Sequence, residues 1–234
     1  MAQLFDKFSN NYKTLLDESL RFTGFDTDYF ATAKIRALAR LFPEFCQRPI
    51  RFLDFGCGNG SLQNPITKFF PQAAYVGTDL SNEMVQQARD LNKGSGVFFE
   101  SASEQWKQGA YDVIFVANVF HHIPHTDHLK ILKELRSLLT HRGKFILWEH
   151  NPWNPFTRKI VKDCIFDKDA VLISPLKLKK LCKMTGFSQM RIVFTTFFPK
   201  SLRFMVPLEP WLGWLPLGGQ YILVGENPDQ KAAP

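Results

Sequence analysis

An apolar run, Ile50-Arg51-Phe52-Leu53-Asp54-Phe55, ends in three glycines at alternate positions, Gly56, Gly58 and Gly60. The run has the length and composition of a buried strand. Glycine tolerates positive φ and carries no Cβ, so a loop built this way can turn sharply and bring its backbone against a ligand. The helix that follows points its first N–H groups into the same space. A strand, a glycine turn and a helix in that order suit a nucleotide-like cofactor at the carboxyl end of a parallel strand.

The remaining periodicity extends this unit. Residues 9–22 and 27–42 read as two helices. The second has Ile35, Leu38, Ala39 and Phe42 at helical spacing, Asp26 or Thr27 as its N-cap and Pro43 past its end. Strand 50–55 precedes helix 61–70, and strand 74–79 precedes helix 81–92, capped by Ser81. Strand 96–100, strand 111–117, helix 126–140 and strand 143–149 follow. This alternation predicts a doubly wound α/β fold, a mostly parallel sheet with helices on both faces. The rhythm breaks at the loop Asn151-Pro152-Trp153-Asn154-Pro155. Ser174-Pro175 starts a helix over 175–185, stopped by Gly186, and strands 188–198 and 220–226 close the chain. A chain of 234 residues fits one large domain of this kind.

The glycine loop admits two ligands. A dinucleotide site wants G-x-G-x-x-G, whose third glycine lets the helix pack against the strand. That place is Ser61 here. The pattern is instead Asp54-Phe55-Gly56-Cys57-Gly58-Asn59-Gly60, which resembles motif I of the class I S-adenosylmethionine-dependent methyltransferases. Their cofactor has no phosphate and carries a sulfonium cation, so an acidic residue under the loop is sensible for it and awkward for a pyrophosphate. Asp79 ends the second strand, nineteen residues past Gly60, where a carboxylate can accept from both ribose hydroxyls.

The resemblance covers residues 50–150 best. It implies a Rossmann-like, mostly parallel seven-stranded sheet whose last strand inserts antiparallel. It also implies an N-terminal helical lid over 1–45 and a methyltransferase domain over 46–234, together one compact domain. S-adenosylmethionine would lie against Asp54, Gly56, Cys57, Gly58 and Gly60. Leu80 and Met84, in a segment resembling D-x-S-x-x-M, would flank the adenosine beside Asp79. Ser101-Ala102 stands where many members have Asp-Ala against the adenine; a serine hydroxyl accepts without charge. Trp106 could cover the adenine ring or pack in the core. Backbone near Asn118 would face the methionine part. Tyr12 falls where members place a lid tyrosine over the sulfonium, with Phe5, Phe8, Tyr29 and Phe30 adding aromatic surface.

Histidines cluster at His121, His122, His125 and His128. A metal site needs three or four ligands converging in space. Pro124 separates the pairs and adjacent side chains diverge, so no metal centre is expected. His121 and His122 shape the pocket floor or act as general bases. His150, after the fifth strand, is the first candidate base, since imidazole titrates in the range such work requires.

The charge is +7 overall, and residues 158–203 hold eleven Lys or Arg against three acids. A basic face suggests an anionic substrate or surface. No basic stripe or RNA-binding module indicates nucleic acid. The Pro- and Trp-rich segment 199–217 is too charged and proline-broken to span a membrane; it reads as a lid over a hydrophobic substrate, a homodimer surface or a peripheral membrane edge. The N-terminus has no apolar run, and the four cysteines have no metal or redox spacing, which suggests a reduced, cytoplasmic protein. The expected activity is methyl transfer to a small-molecule or lipid-linked acceptor, O-methylation first and N- or C-methylation after it. A non-catalytic cofactor-binding protein and a nucleotide-dependent oxidoreductase are the alternatives.

Overall fold

The structure, a computed structural model, describes residue 6 and residues 8–228. Phe5 and the tail beyond residue 228 lie outside the described residues. The chain forms two compact units, residues 1–111 and 112–234.

In the first unit, β1 (Ile50–Phe55), β2 (Ala73–Asp79) and β3 (Val97–Glu100) run parallel in the order β3-β2-β1. Helices α1 (Tyr12–Leu20), α2 (Thr27–Leu41), α3 (Gln63–Phe69) and α4 (Asn82–Leu91) accompany them. Asp26 caps α2, its carboxylate accepting from the Tyr29 N–H at 2.8 Å, and Ile35 and Leu38 are buried on that helix. Ser81 caps α4 by accepting from the Met84 N–H at 3.2 Å. Both caps satisfy donors that a helix start leaves without partners.

The glycine loop replaces the first turn expected for α3, which begins at Gln63 rather than residue 61. All three loop glycines have positive φ, 80° at Gly56, 53° at Gly58 and 73° at Gly60. Their surroundings differ. A Cβ at Gly60 would sit 2.7 Å from Asn92 Nδ2 and 2.9 Å from Phe98, whereas a Cβ at Gly58 would meet nothing within 4 Å. Gly60 is therefore a packing glycine and Gly58 fronts open space. Gly60→Ala is expected to lower stability by about 2 kcal/mol or more, from the clash added to the left-handed backbone. Gly58→Ala should cost only the roughly 1–2 kcal/mol of a left-handed alanine. Thermal melts of the two variants check this order.

In the second unit, β4 (Tyr111–Ala117), β5 (Leu139–His150), β6 (Ser188–Thr195) and β7 (Gln220–Glu226) lie in the order β4-β5-β7-β6. β7 runs antiparallel to both neighbours, as the family plan implies. Helices α5 (His128–Ser137), α6 (Pro155–Asp163) and α7 (Pro175–Met184) complete it. α7 starts as its sequence predicts, with the Ser174 hydroxyl accepting from the Lys177 N–H. α6 is an addition to the sequence reading, which ended structure at the Asn-Pro pairs. Asn154 caps it by accepting from the Thr157 N–H, and Pro155 takes the first helical position, the same device used at Ser174-Pro175.

The segment between β6 and β7 is a 3-10 helix over Lys200–Leu212, kinked at Leu202. Its return to β7 is stitched to the loop before α6. Asn151 Nδ2 donates to the carbonyls of Pro216 and Gly218, Asn154 Nδ2 to that of Leu217, and the Thr157 hydroxyl to that of Gly219. Among the described residues, no helix is long and apolar enough to cross a membrane.

Candidate active site

The loop's own donors are largely spent within the first unit. The N–H groups of Gly56 and Cys57 donate to the Thr78 carbonyl, and that of Gly58 donates to Asp79 Oδ2 at 2.8 Å. The other Asp79 oxygen accepts from the Ser81 N–H at 2.9 Å. A pyrophosphate would find few open donors here and a carboxylate facing it, which disfavours the dinucleotide alternative. A ribose fits: each carboxylate oxygen keeps an acceptor site for a hydroxyl. Burial raises the Asp79 carboxyl above its usual range, while the Ser81 and Gly58 N–H groups pull it back.

Asp54 is buried, and the Tyr75 hydroxyl donates to its Oδ2 at 2.7 Å. Burial pushes its carboxyl up to about 7, against the Tyr75 bond and the Lys34 charge. A raised carboxyl favours the folded state while protonated; that contribution is complete below the ordinary value of 3.8 and is lost as pH rises through about 7. Between pH 5 and 8 the loss amounts to roughly 2–3 kcal/mol. Asp54→Asn should remove it, so the variant's melting temperature relative to wild type is expected to rise from pH 5 to pH 8.

The other expected cofactor residues divide by exposure. Leu80 is exposed, whereas Met84 is buried at 1%, so of the pair only Leu80 offers open surface to an adenosine. Cys57 is buried, which raises its thiol, and its N–H and carbonyl are both taken up by hydrogen bonds within the first unit. Ser101 donates its N–H to the Asp79 carbonyl, and its hydroxyl lies 3.5 Å from that of Thr78; Ala102 beside it is exposed. Trp106 is buried, with its indole N–H on the Ser101 carbonyl, which makes it a core residue rather than an adenine cover. Tyr12 opens α1 and is half-buried.

The second unit holds Asn118 and all the candidate catalytic histidines. Asn118 follows β4 in the left-handed region at φ 57°, its N–H on the Trp148 carbonyl and its side-chain Oδ1 buried without a hydrogen bond. A strained asparagine with an orphaned acceptor is a feature of binding sites.

His121 and His122 lie in a 3-10 turn, Phe120–His122, and their rings sit 4.2 Å apart. They do not diverge: the Nε2 atoms of both approach one oxygen, Asp167 Oδ1, at 3.4 and 3.3 Å. This corrects the expectation drawn from adjacency, which holds for an extended backbone but not for this turn. The His150 ring is 5.2 Å from that of His121. His125 and His128 stay apart: His125 Nδ1 contacts Lys177 Nζ, and His128 Nε2–H is directed at the backbone carbonyls of Phe120 and Ile123.

Glu149 fixes this arrangement. It is buried; its Oε1 accepts from the N–H groups of Val119 and Phe120, and its Oε2 lies 2.5 Å from His121 Nδ1. Burial alone would raise Glu149 and lower His121. The mutual attraction reverses both: Glu149 falls below its usual range, and His121, between Glu149 and Asp167, rises to about 10. Burial would also raise Asp167, but His121 and His122 hold it well below the carboxylate range. A histidine whose proton is held by two carboxylates is a poor base, so His121 is a fixed cationic element. Asp167, in the 3-10 turn Ile165–Asp167 after α6, escaped the sequence reading. Buried Cys164 and Phe166 anchor that turn, and no spacing in the sequence links it to His121.

Known proteins resemble this chain in both sequence and fold. Residues 53–145 match the family description of a methyltransferase domain. A SAM-dependent methyltransferase from Archaeoglobus fulgidus superposes with a TM-score of 0.68 at 17% identity, covering 92% of this chain and 99% of that one. Over residues 53–145 the chain is similar to a methyltransferase domain, and over most of its length it shares the fold of SAM-dependent methyltransferases. The fold, a seven-stranded mixed sheet of Rossmann-like kind, is shared with magnesium protoporphyrin IX methyltransferase from Synechocystis, crystallised with bound SAM (TM-score 0.61, 16% identity, 96% of each chain). In sequence it is 38% identical over 96 residues to trans-aconitate 2-methyltransferase of Rhodopseudomonas palustris, a match covering 41% of this chain and 36% of that protein. It is 32% identical over 112 residues to malonyl-[acyl-carrier protein] O-methyltransferase of Legionella pneumophila, covering 44% and 39%. The match thus spans well under half the length of these curated relatives.

Proposed function

We propose that this chain is a methyltransferase that moves a methyl group from S-adenosylmethionine to an oxygen of an apolar, lipid-linked acceptor that meets the histidine cluster. The observation that carries the cofactor half is the glycine loop with its Asp79 tether: open space before Gly58 and a carboxylate with two remaining acceptor sites. Within the first unit, Gly56 to Gly60 would hold the cofactor's backbone side, Asp79 its ribose, Leu80 and Ala102 its adenine, and Tyr12 on the lid its sulfonium face. The cofactor supplies a methyl group already activated for displacement. The chain's task is to place the acceptor, and positioning of reactants contributes up to about 7–11 kcal/mol. His121 stays protonated and ties Glu149 to Asp167, leaving His150 and His122 to receive the acceptor proton.

The lipid-linked half rests on the surface of the second unit. Phe204, Trp211 and Trp214 are more than 70% exposed, and Trp153, Phe156 and Leu217 are exposed on the two segments that the asparagines stitch together. Lys200, Arg203, Arg158 and Lys159 accompany them. The acid of this segment, Glu209, is turned inward onto the N–H groups of Thr196 and Phe197. Exposed aromatics with cations and no exposed acid suit an anionic lipid surface. A second copy of the chain is the competing occupant.

The test is methyl-labelled S-adenosylmethionine incubated with the protein and bacterial lipid or aqueous metabolite fractions. Label is expected in the lipid fraction, and co-sedimentation with anionic vesicles should fall on Trp211→Ala with Trp214→Ala. Cofactor binding without label in either fraction would support the non-catalytic alternative. Label confined to the aqueous fraction, with no vesicle binding, would remove the lipid-linked reading and keep the methyltransferase.

A further inference from the structure

We infer that His121, His150 and Asp167 form a binding site for a divalent transition-metal ion. One donor atom from each of the three lies within 4.8 Å of the other two. His121 anchors the site. Its ring is buried at 2% and its Nε2 has no hydrogen bond of acceptable geometry. Its Nδ1 is held by Glu149 at 2.5 Å, and Glu149 is itself held by two backbone N–H groups. A carboxylate on one ring nitrogen fixes the ring and aims the other nitrogen outward, which is how metal-bound histidines are normally supported; the ion would take the place of the Nε2 proton that the metal-free imidazolium carries.

The spacing agrees. The 3.4 Å from His121 Nε2 to Asp167 Oδ1 is longer than the roughly 2.9–3.0 Å of an N–H···O hydrogen bond. It is the separation of about 3.3–3.5 Å expected between two donors each about 2.0–2.2 Å from one tetrahedral ion. His122, with Nε2 at 3.3 Å from the same oxygen, steadies the carboxylate from another side.

Two imidazoles and one carboxylate suit Zn²⁺, Co²⁺, Fe²⁺ or Mn²⁺ over Mg²⁺ and Ca²⁺, which prefer oxygen ligands throughout. Three protein ligands leave a position for an acceptor oxygen, whose pKa the ion would lower. That role rests on the reading that the acceptor meets this cluster. The acceptor O–H then loses its proton to His122 or water, its oxygen forms the bond to the methyl carbon, and the carbon–sulfur bond breaks with its electron pair kept by sulfur. His150 becomes a ligand rather than the base.

Cobalt titration of chelator-treated full-length protein tests the site. Visible d–d bands saturating at one equivalent, lost on adding Zn²⁺, are expected, together with paramagnetically shifted imidazole N–H resonances from two histidines. His150→Gln and Asp167→Asn should each weaken Co²⁺ binding by at least about tenfold, while circular dichroism and S-adenosylhomocysteine binding report that the variants are folded. Absence of such bands with the native protein overturns the site, as does unchanged Co²⁺ affinity in both variants. Cobalt binding without any cofactor binding would leave the metal site standing and remove the methyltransferase reading instead, so the two failures are distinguishable.

Discussion

His121→Ala is expected to destabilise the protein by about 3–5 kcal/mol, the usual cost of removing one partner from a buried ion pair. The reason is what remains. Glu149 is 1% exposed and keeps its charge because His121 lies against it; Asp167 is held low by the same imidazole. Without the ring, two carboxylates share a cavity with no cation between them, and one must take up a proton or draw in water. The melting temperature should fall by on the order of 10 °C. Adding Glu149→Gln to the alanine variant should recover part of the loss, because it removes the stranded charge, and a double-mutant cycle isolates that coupling. A drop of less than about 2 °C in the single variant would mean that the pair contributes little.

Asp79→Ala should weaken binding of S-adenosylmethionine by about 10- to 150-fold, the equivalent of roughly 1.5–3 kcal/mol for hydrogen bonds to a charged group. Two effects act together. On the proposed site the ribose hydroxyls would lose their charged acceptor, and Gly58 loses the bond that ties the loop to the end of β2. Asp79→Asn keeps one acceptor oxygen and should fall between the two, a gradation that simple loosening of the loop would not produce. Calorimetry on the three proteins reads it directly. Equal affinities would place the ribose elsewhere.

Much of this was legible in the chain because it depends on short-range signals. The bounds of β1 and β4, the caps at Asp26, Ser81 and Ser174, and the turn at the three glycines follow from periodicity and local backbone chemistry. Helix α6 was missed although Asn154-Pro155 carries the same start signal as Ser174-Pro175; a cluster of prolines and asparagines reads as a loop when each residue is taken singly. The histidine cluster was half legible. His121, His122 and His150 stand out by type, but their convergence depends on a 3-10 turn and on Asp167, brought in from seventeen residues beyond His150 by the α6 excursion. Glu149 reads as the end of a strand, and its role appears only when two backbone N–H groups and an imidazole are seen around it. Exposure was not legible either: Leu80 and Met84 are alike in sequence character, yet only Leu80 is exposed.

The glycine loop and Asp79 are proposed to hold a sulfonium cofactor rather than a dinucleotide. Calorimetric titration of the purified full-length protein with S-adenosylmethionine, S-adenosylhomocysteine and NAD tests it most directly. Saturable one-to-one binding of the first two with no heat from NAD is the predicted result. Binding of NAD, or no binding of either sulfur compound, would contradict it.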